Sequence, residues 1–153
     1  KFKTMHDTSG PSSTANDDPR VTKIGRFLRK TRLDELPQII NIIKGDMGLI
    51  GWRPEVPKYL DTIPAVVLKR KPGVLGLATL WDIDEGTILK GSADPDKDYE
   101  EKIMPTKRAF EVYYAVFCTP LLDLHILVRT LTKLLGLGWP KIKIELNDEK
   151  YEL

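Results

Sequence analysis

Between Pro120 and Leu135, the residues Leu121, Leu124, Leu127, Val128, Leu131, Leu134 and Leu135 recur at helical spacing, with Asp123, Arg129 and Lys133 between them. This run predicts a helix with a wide apolar surface, which must be covered by core, by lipid or by both. A second pattern, Leu36, Ile39, Ile40 and Ile43, falls at i, i+3, i+4 and i+7 and predicts a helix over 33–44. Thr31 with Asp34 three positions later has capping-box spacing, Pro37 suits a first turn, and Gly45 stops the helix. Ile24, Phe27 and Leu28 mark one face of a preceding helix. Residues 55–70 read as a short helix interrupted by Pro57 and Pro64, and 105–114 as a further helix. β character is confined to short pieces. "KFKTM" at 1–5 alternates like a strand, "KPGVLGLATLW" at 71–81 suits a hairpin or extended loop, and 141–153 suits a strand that then frays. The expectation is an α+β fold: one helix-dominated domain of 153 residues with a small sheet or hairpin region. Turn formers fill 7–19, predicting a flexible loop. An acidic stretch at 82–101 reads as a surface loop running into a helix, and 136–153 as a C-terminal tail.

Charge narrows the partners. The net charge is only +2, yet six basic residues and no acid lie between Arg20 and Arg32. A local basic strip suits phosphate, an anionic membrane surface or nucleic acid, and equally a solvated helix face. Nucleic acid is disfavoured, because aromatic residues are not interleaved with the basic ones and no known binding module is present. Cys118 is the only cysteine, which excludes a disulfide framework and a cysteine metal site and fits a reducing compartment. No apolar run is long enough to span a bilayer, and the first residue is Lys1 rather than methionine. An upstream piece is therefore expected. His6 reads as loop and His125 as a helix residue near an interface, neither with metal or triad spacing. Met5, Met47 and Met104 are expected in the core.

The segment "RKTRLDELPQIINIIKGDMGLIGWRP", residues 29–54, sets two acids, Asp34 and Glu35, side by side. Carboxylates at a helix start favour the positive end of its dipole, by about 0.3–1 kcal/mol each, so capping alone would account for them. Their position between a basic strip and an Arg-Pro turn points instead to chemistry. Carboxylates among cations stay ionised at neutral pH, as a nucleophile must.

"KFKTM", "DDPRVTKIGRFLRKTRLDELPQIINIIKGDMGLIGWRP" and "KPGVLGLA", in that order, resemble the bacterial sugar transferases, the monotopic phosphoglycosyl transferases that begin glycoconjugate and exopolysaccharide assembly. The resemblance implies transfer of a phosphosugar from a nucleotide diphosphate sugar to polyprenyl phosphate at the cytoplasmic face of a bacterial membrane. It implies Asp34 as the nucleophile of a covalent aspartyl-phosphosugar intermediate, and Glu35 as the magnesium-associated acid. Arg29, Arg53 and Lys1 match positions that handle substrate phosphate, where Arg offers a planar, bidentate fork. Mg2+ suits such a site because it binds hard oxygens and keeps several waters.

Two departures stand out. The family turn usually reads Gly-Pro-Arg-Pro, where this chain has Gly51-Trp52-Arg53-Pro54. Trp52 is thereby free to pack at a membrane interface or on a substrate ring. An aspartate before a tyrosine pair is here Glu111, a candidate metal or sugar contact one methylene longer. The alternative to an enzyme is a non-catalytic basic amphipathic module that docks on anionic membrane. Such a module would need neither Asp34 nor Glu35.

Overall fold

The computed structural model describes residues 1–15, 18–81, 88–137, 143–146 and 149–152. It confirms a helix-rich α+β chain. Helix α1 (Lys23–Thr31) leads through a 3-10 stretch (Leu33–Gln38) into α2 (Ile39–Lys44) and strand β1 (Gly48–Ile50). A second 3-10 turn (Pro57–Thr62) and α3 (Ala65–Leu68) precede β2 (Gly73–Leu75) and α4 (Leu77–Trp81). Helix α5 (Pro95–Asp98) continues through a π turn (Tyr99–Ile103) into α6 (Met104–Phe117), followed by α7 (Pro120–Leu134) and a hairpin of β3 (Lys143–Leu146) and β4 (Glu149–Glu152).

The main core lies where α4 packs on α6 and α7. Leu77, Leu80, Phe110 and Ile126 are its fully buried members. The hairpin closes this core: Ile144 is buried in it, and the Tyr151 ring meets Phe110 edge-on at 5.0 Å. The described residues of the C-terminal stretch pair as antiparallel strands, with Ile144 opposite Tyr151. A second cluster joins Tyr59, Leu89, Tyr99 and Ile103, and a third joins Ile63, Val67 and Ala115. On α7, Ile126 and Thr130 are buried while Leu121, Leu124 and Leu131 stay exposed, so its apolar surface serves two environments.

Several sequence expectations are corrected. No hairpin forms over 71–81. Strand β2 instead pairs in parallel with β1, Gly48 opposite Gly73 and Ile50 opposite Leu75, and the chain then turns into α4. Backbones approach so closely here that a Cβ on Gly73 would lie 2.2 Å from the Gly51 nitrogen. Residues 1–5 form no strand; a single bridge joins Met5 to Val21. The predicted helix over 33–44 is divided. Arg32 takes a left-handed conformation (φ 59°), and Pro37 cannot donate in an α-helical ladder, so Leu33–Gln38 winds as 3-10 before α2 begins. Thr31 is not a cap. Its hydroxyl donates back to the Phe27 and Leu28 carbonyls, while Thr22 caps α1 by accepting from the Gly25 N–H at 2.8 Å. Met47 and Met104 are buried as expected, whereas Met5 is half-buried.

Described residues of the 7–19 stretch carry specific contacts. Ser13 N–H donates to Asp96 at 2.8 Å, and Arg20 clasps Asp18 through Nε and Nη2 while reaching the Pro11 carbonyl. The Arg20 hydrogen bonds outweigh burial and hold the Asp18 carboxyl below its ordinary value. A depressed carboxylate adds stability above its unfolded-state pKa and loses it as pH falls through the folded value. Asp18→Asn is thus expected to cost about 2 kcal/mol near pH 7, the gap closing below about pH 4. Urea unfolding at several pH values checks this, and a gap that persists in acid would show that the charge is not its source.

Candidate active site

Three stretches far apart in the chain converge on Asp34 and Glu35. The left-handed turn at Arg32 redirects the backbone after α1, so both acids point inward, at 2% and 5% exposure. The opening segment is pinned alongside. Phe2 N–H donates to the Asp34 carbonyl at 2.8 Å, and the Lys1 ammonium sits 3.0 Å from Asp34 Oδ2 and 3.2 Å from Glu35 Oε1. From the turn after β1, Arg53 Nη2 reaches Glu35 Oε1 at 2.7 Å, and Gln38 donates to Oε2 at 2.7 Å. Burial alone would raise the Glu35 carboxyl, but Arg53 and Lys1 more than offset it and the net shift is downward. Glu35 is therefore ionised at neutral pH.

Asp34 differs from its neighbour. Its Oδ2 faces Lys1, but its Oδ1 is buried without a hydrogen-bond partner among the described residues. An orphaned carboxylate oxygen is costly unless something else completes it. Both acids lie in the first turn of the 3-10 stretch, where no side-chain capping bond forms at Arg32.

Arg29 is on the last turn of α1, where its Nε donates to Thr4 Oγ1 at 2.9 Å. It thereby stands beside the segment that carries Lys1. Four of the expected residues, Asp34, Glu35, Lys1 and Arg53, are joined by ion pairs, while Arg29 contacts Thr4, three residues after Lys1.

Glu111 lies in a different assembly. It is buried on α6 and paired with Arg108 at 2.5 Å, while its Oε1 has no hydrogen-bond partner among the described residues. Burial raises its carboxyl above the ordinary value despite Arg108. Arg108 Nη2 also reaches Glu55 Oε1 at 3.3 Å, and Lys107 reaches the same oxygen at 2.5 Å. Glu55 was not picked out from the sequence. Two signals could have found it: its place just after the Arg53-Pro54 turn, and the adjacent cations Lys107 and Arg108 on a largely apolar helix.

Trp52 is half-buried. Its indole N–H donates to the Arg70 carbonyl at 2.8 Å, and its ring packs on the Ile63, Val67 and Ala115 cluster.

The site is thus a buried acid pair met by Lys1 and Arg53 from separate segments of an α+β scaffold. A profile of the bacterial sugar transferase family matches residues 1–136, and the chain belongs to that family. It is 39% identical over 118 residues to the undecaprenyl-phosphate galactose phosphotransferase of Salmonella typhimurium, covering 74% of this chain and 21% of that protein. It is 31% identical over 144 residues to a UDP-glucose:undecaprenyl-phosphate glucose-1-phosphate transferase of Caulobacter vibrioides, covering 88% of this chain and 50% of that protein. A UDP-N-acetylgalactosamine-undecaprenyl-phosphate N-acetylgalactosaminephosphotransferase of Aeromonas hydrophila is 34% identical over 148 residues, covering 90% and 32% respectively. The chain thus spans between a fifth and a half of the length of these relatives.

Proposed function

We propose that this chain carries the catalytic unit of a phosphoglycosyl transferase, which moves a phosphosugar from a nucleotide diphosphate sugar to polyprenyl phosphate. The observation that carries the reading is the asymmetry of the acid pair. Glu35 accepts from Lys1, Arg53 and Gln38 and keeps acceptor capacity on Oε2, whereas one buried oxygen of Asp34 has no partner among the described residues. In this scheme Asp34 attacks the sugar-bearing phosphorus of the donor. The bond to the bridging oxygen breaks, and the nucleoside monophosphate leaves with that oxygen. A phosphate oxygen of the polyprenyl acceptor then attacks the same phosphorus and releases the Asp34 carboxylate. The acyl phosphate divides one difficult displacement into two. Arg53 and Arg29 bind and align the diphosphate, which is most of what phosphoryl transfer asks of a protein. Lys1, 41% exposed, is the outer partner of Asp34, and its ammonium shifts to an incoming phosphate oxygen as the carboxylate engages.

The residues present fit a magnesium ion. Two adjacent carboxylates offer hard oxygens, and the orphaned Asp34 Oδ1 is an acceptor that a cation would complete. Among the described residues no group of three or more His, Cys, Asp or Glu side chains could hold a metal. Glu35, with Asp34 alongside and substrate oxygens completing the shell, would hold the ion. When bound it supplies charge neutralisation at the diphosphate. Glu111, buried behind Arg108, fits a supporting role better than direct contact with sugar or metal.

The membrane reading rests on a separate feature. Ile24, Phe27, Leu36, Ile39, Ile40 and Ile43 are exposed, Ile43 at 80%, on three consecutive elements, each packed against the next. Basic residues of the 20–32 strip flank them. No described helix is long and apolar enough to cross a membrane. An apolar face rimmed by cations suits the cytoplasmic surface of an anionic bilayer, at about 1 kcal/mol per basic residue near the surface. Flotation with anionic vesicles is expected at low salt and should weaken as salt rises. Equal flotation with neutral vesicles would remove the charge contribution. A non-catalytic docking module shares this surface, but it has no use for a buried acid pair.

The deciding assay supplies a panel of nucleotide diphosphate sugars with polyprenyl phosphate and Mg2+ and reads released nucleoside monophosphate. Release that requires the lipid phosphate, at catalytic turnover, is the expected result. No release with any donor, from a chain extended to the length of its relatives, would overturn the reading.

A further inference from the structure

Arg53 makes a close contact with Glu35 from a short turn between β1 and the second 3-10 stretch. Its rigidity comes from both sides. Before Arg53, Trp52 is tied down by the Arg70 carbonyl and the Ile63, Val67 and Ala115 cluster, and it bridges to Pro72. After Arg53, Pro54 limits the backbone, and the Glu55 side chain, 7% exposed, is driven into α6. There one Glu55 oxygen meets Lys107 at 2.5 Å, the Tyr99 hydroxyl at 3.2 Å and Arg108 at 3.3 Å. Lys107 in turn donates to the Tyr99 hydroxyl at 2.8 Å, and Arg108 is held by Glu111 and by Thr62. A carboxylate with this many donors has one available position. The residue two places before it is correspondingly constrained.

We propose that Glu55 is a positioning residue: anchored by Lys107, Arg108 and Tyr99, it holds the Arg53 guanidinium against Glu35, so that the phosphate-binding edge of the site is set by helix α6. This rests on the reading of Arg53 as a phosphate-binding residue. It gives the buried Glu55–Arg108–Glu111 network a role in substrate binding without contact between any of its members and the substrate.

Inorganic pyrophosphate serves as the probe, titrated calorimetrically into the whole chain with Mg2+ present. Arg53→Ala is expected to weaken binding about 10-fold, the loss of one charged hydrogen-bonding partner. Glu55→Ala should weaken it by a similar factor, and Glu55→Gln, which keeps an acceptor, by less. In the Arg53→Ala background, Glu55→Ala should cause no further loss, because its effect passes through Arg53. A purely structural role predicts the opposite, a loss that persists in that background and tracks the fall in melting temperature. If Arg53→Ala binds pyrophosphate as the parent does, the phosphate reading of Arg53 fails and the positioning role falls with it. If Arg53→Ala weakens binding but Glu55→Ala does not, the phosphate reading stands and the positioning role alone is wrong. Should Glu55→Ala fail to fold, Glu55→Gln carries the same cycle, and parent-like binding by a folded Glu55→Gln with parent-like tolerance of Lys107→Met would overturn the proposal.

Discussion

Asp34→Asn should abolish turnover, by on the order of 10³-fold or more, while leaving the chain folded and able to bind donor. The two side chains have nearly the same shape, so the buried pocket is not strained. The amide is a far weaker nucleophile, which removes the covalent route. A loss of that size corresponds to about 4 kcal/mol of transition-state stabilisation, well beyond the 0.3–1 kcal/mol of a helix-terminal charge. Phosphate binding should survive, because Lys1, Arg29 and Arg53 are intact. The covalent step can be read without turnover. Incubating the parent chain with a sugar nucleotide alone should add one phosphosugar to its intact mass, and peptide mapping should locate it on Asp34. Asp34→Asn should show no adduct. Native-rate turnover by Asp34→Asn, or an adduct on another residue, would remove Asp34 from the chemistry.

Gly25→Ala should produce the largest structural effect. A Cβ at Gly25 would stand 2.0 Å from the Thr4 carbonyl oxygen and 2.8 Å from Thr22 Oγ1. The first contact is with backbone, so no side-chain rotation relieves it. The ordinary benefit of alanine over glycine in a helix, about 1 kcal/mol, is outweighed by overpacking of about 3 kcal/mol where backbone must move. A net loss of about 2 kcal/mol should lower the melting temperature by roughly 6 °C for a chain of this size. The displaced segment carries Lys1, Phe2 and Thr4, which contact Asp34, Glu35 and Arg29. Pyrophosphate affinity should therefore fall together with stability. Unchanged melting and unchanged affinity would mean that the opening segment is not seated on α1 as the structure shows.

Much of the site was legible in the sequence, because its residues are concentrated in one ungapped block where residue type and order carry the chemistry. The long helices α6 and α7 were legible for a different reason: their periodic patterns run over several turns. Short elements were not. The β1–β2 pair consists of three-residue strands 25 positions apart in register, and no local pattern announces a parallel partner so distant. The helix start at Leu33 looked regular because Leu36, Ile39, Ile40 and Ile43 have perfect spacing. That spacing turned out to describe an exposed surface, and Arg32 and Pro37 broke the helix regardless of it. Glu55 escaped notice since a single acid gains meaning only when Lys107 and Arg108, some fifty residues later, are folded onto it.

The hairpin of β3 and β4 gives the chain two different boundaries. The stretch shared with the family profile ends at residue 136, yet Ile144 and Tyr151 complete the core around Phe110. The matched stretch is thus shorter here than the chain that builds the core. A domain trimmed to the shared block would retain Asp34, Glu35 and all three cations, and would expose Phe110 to water. Grafting the block onto another scaffold would call for a replacement for two side chains that no catalytic comparison would flag.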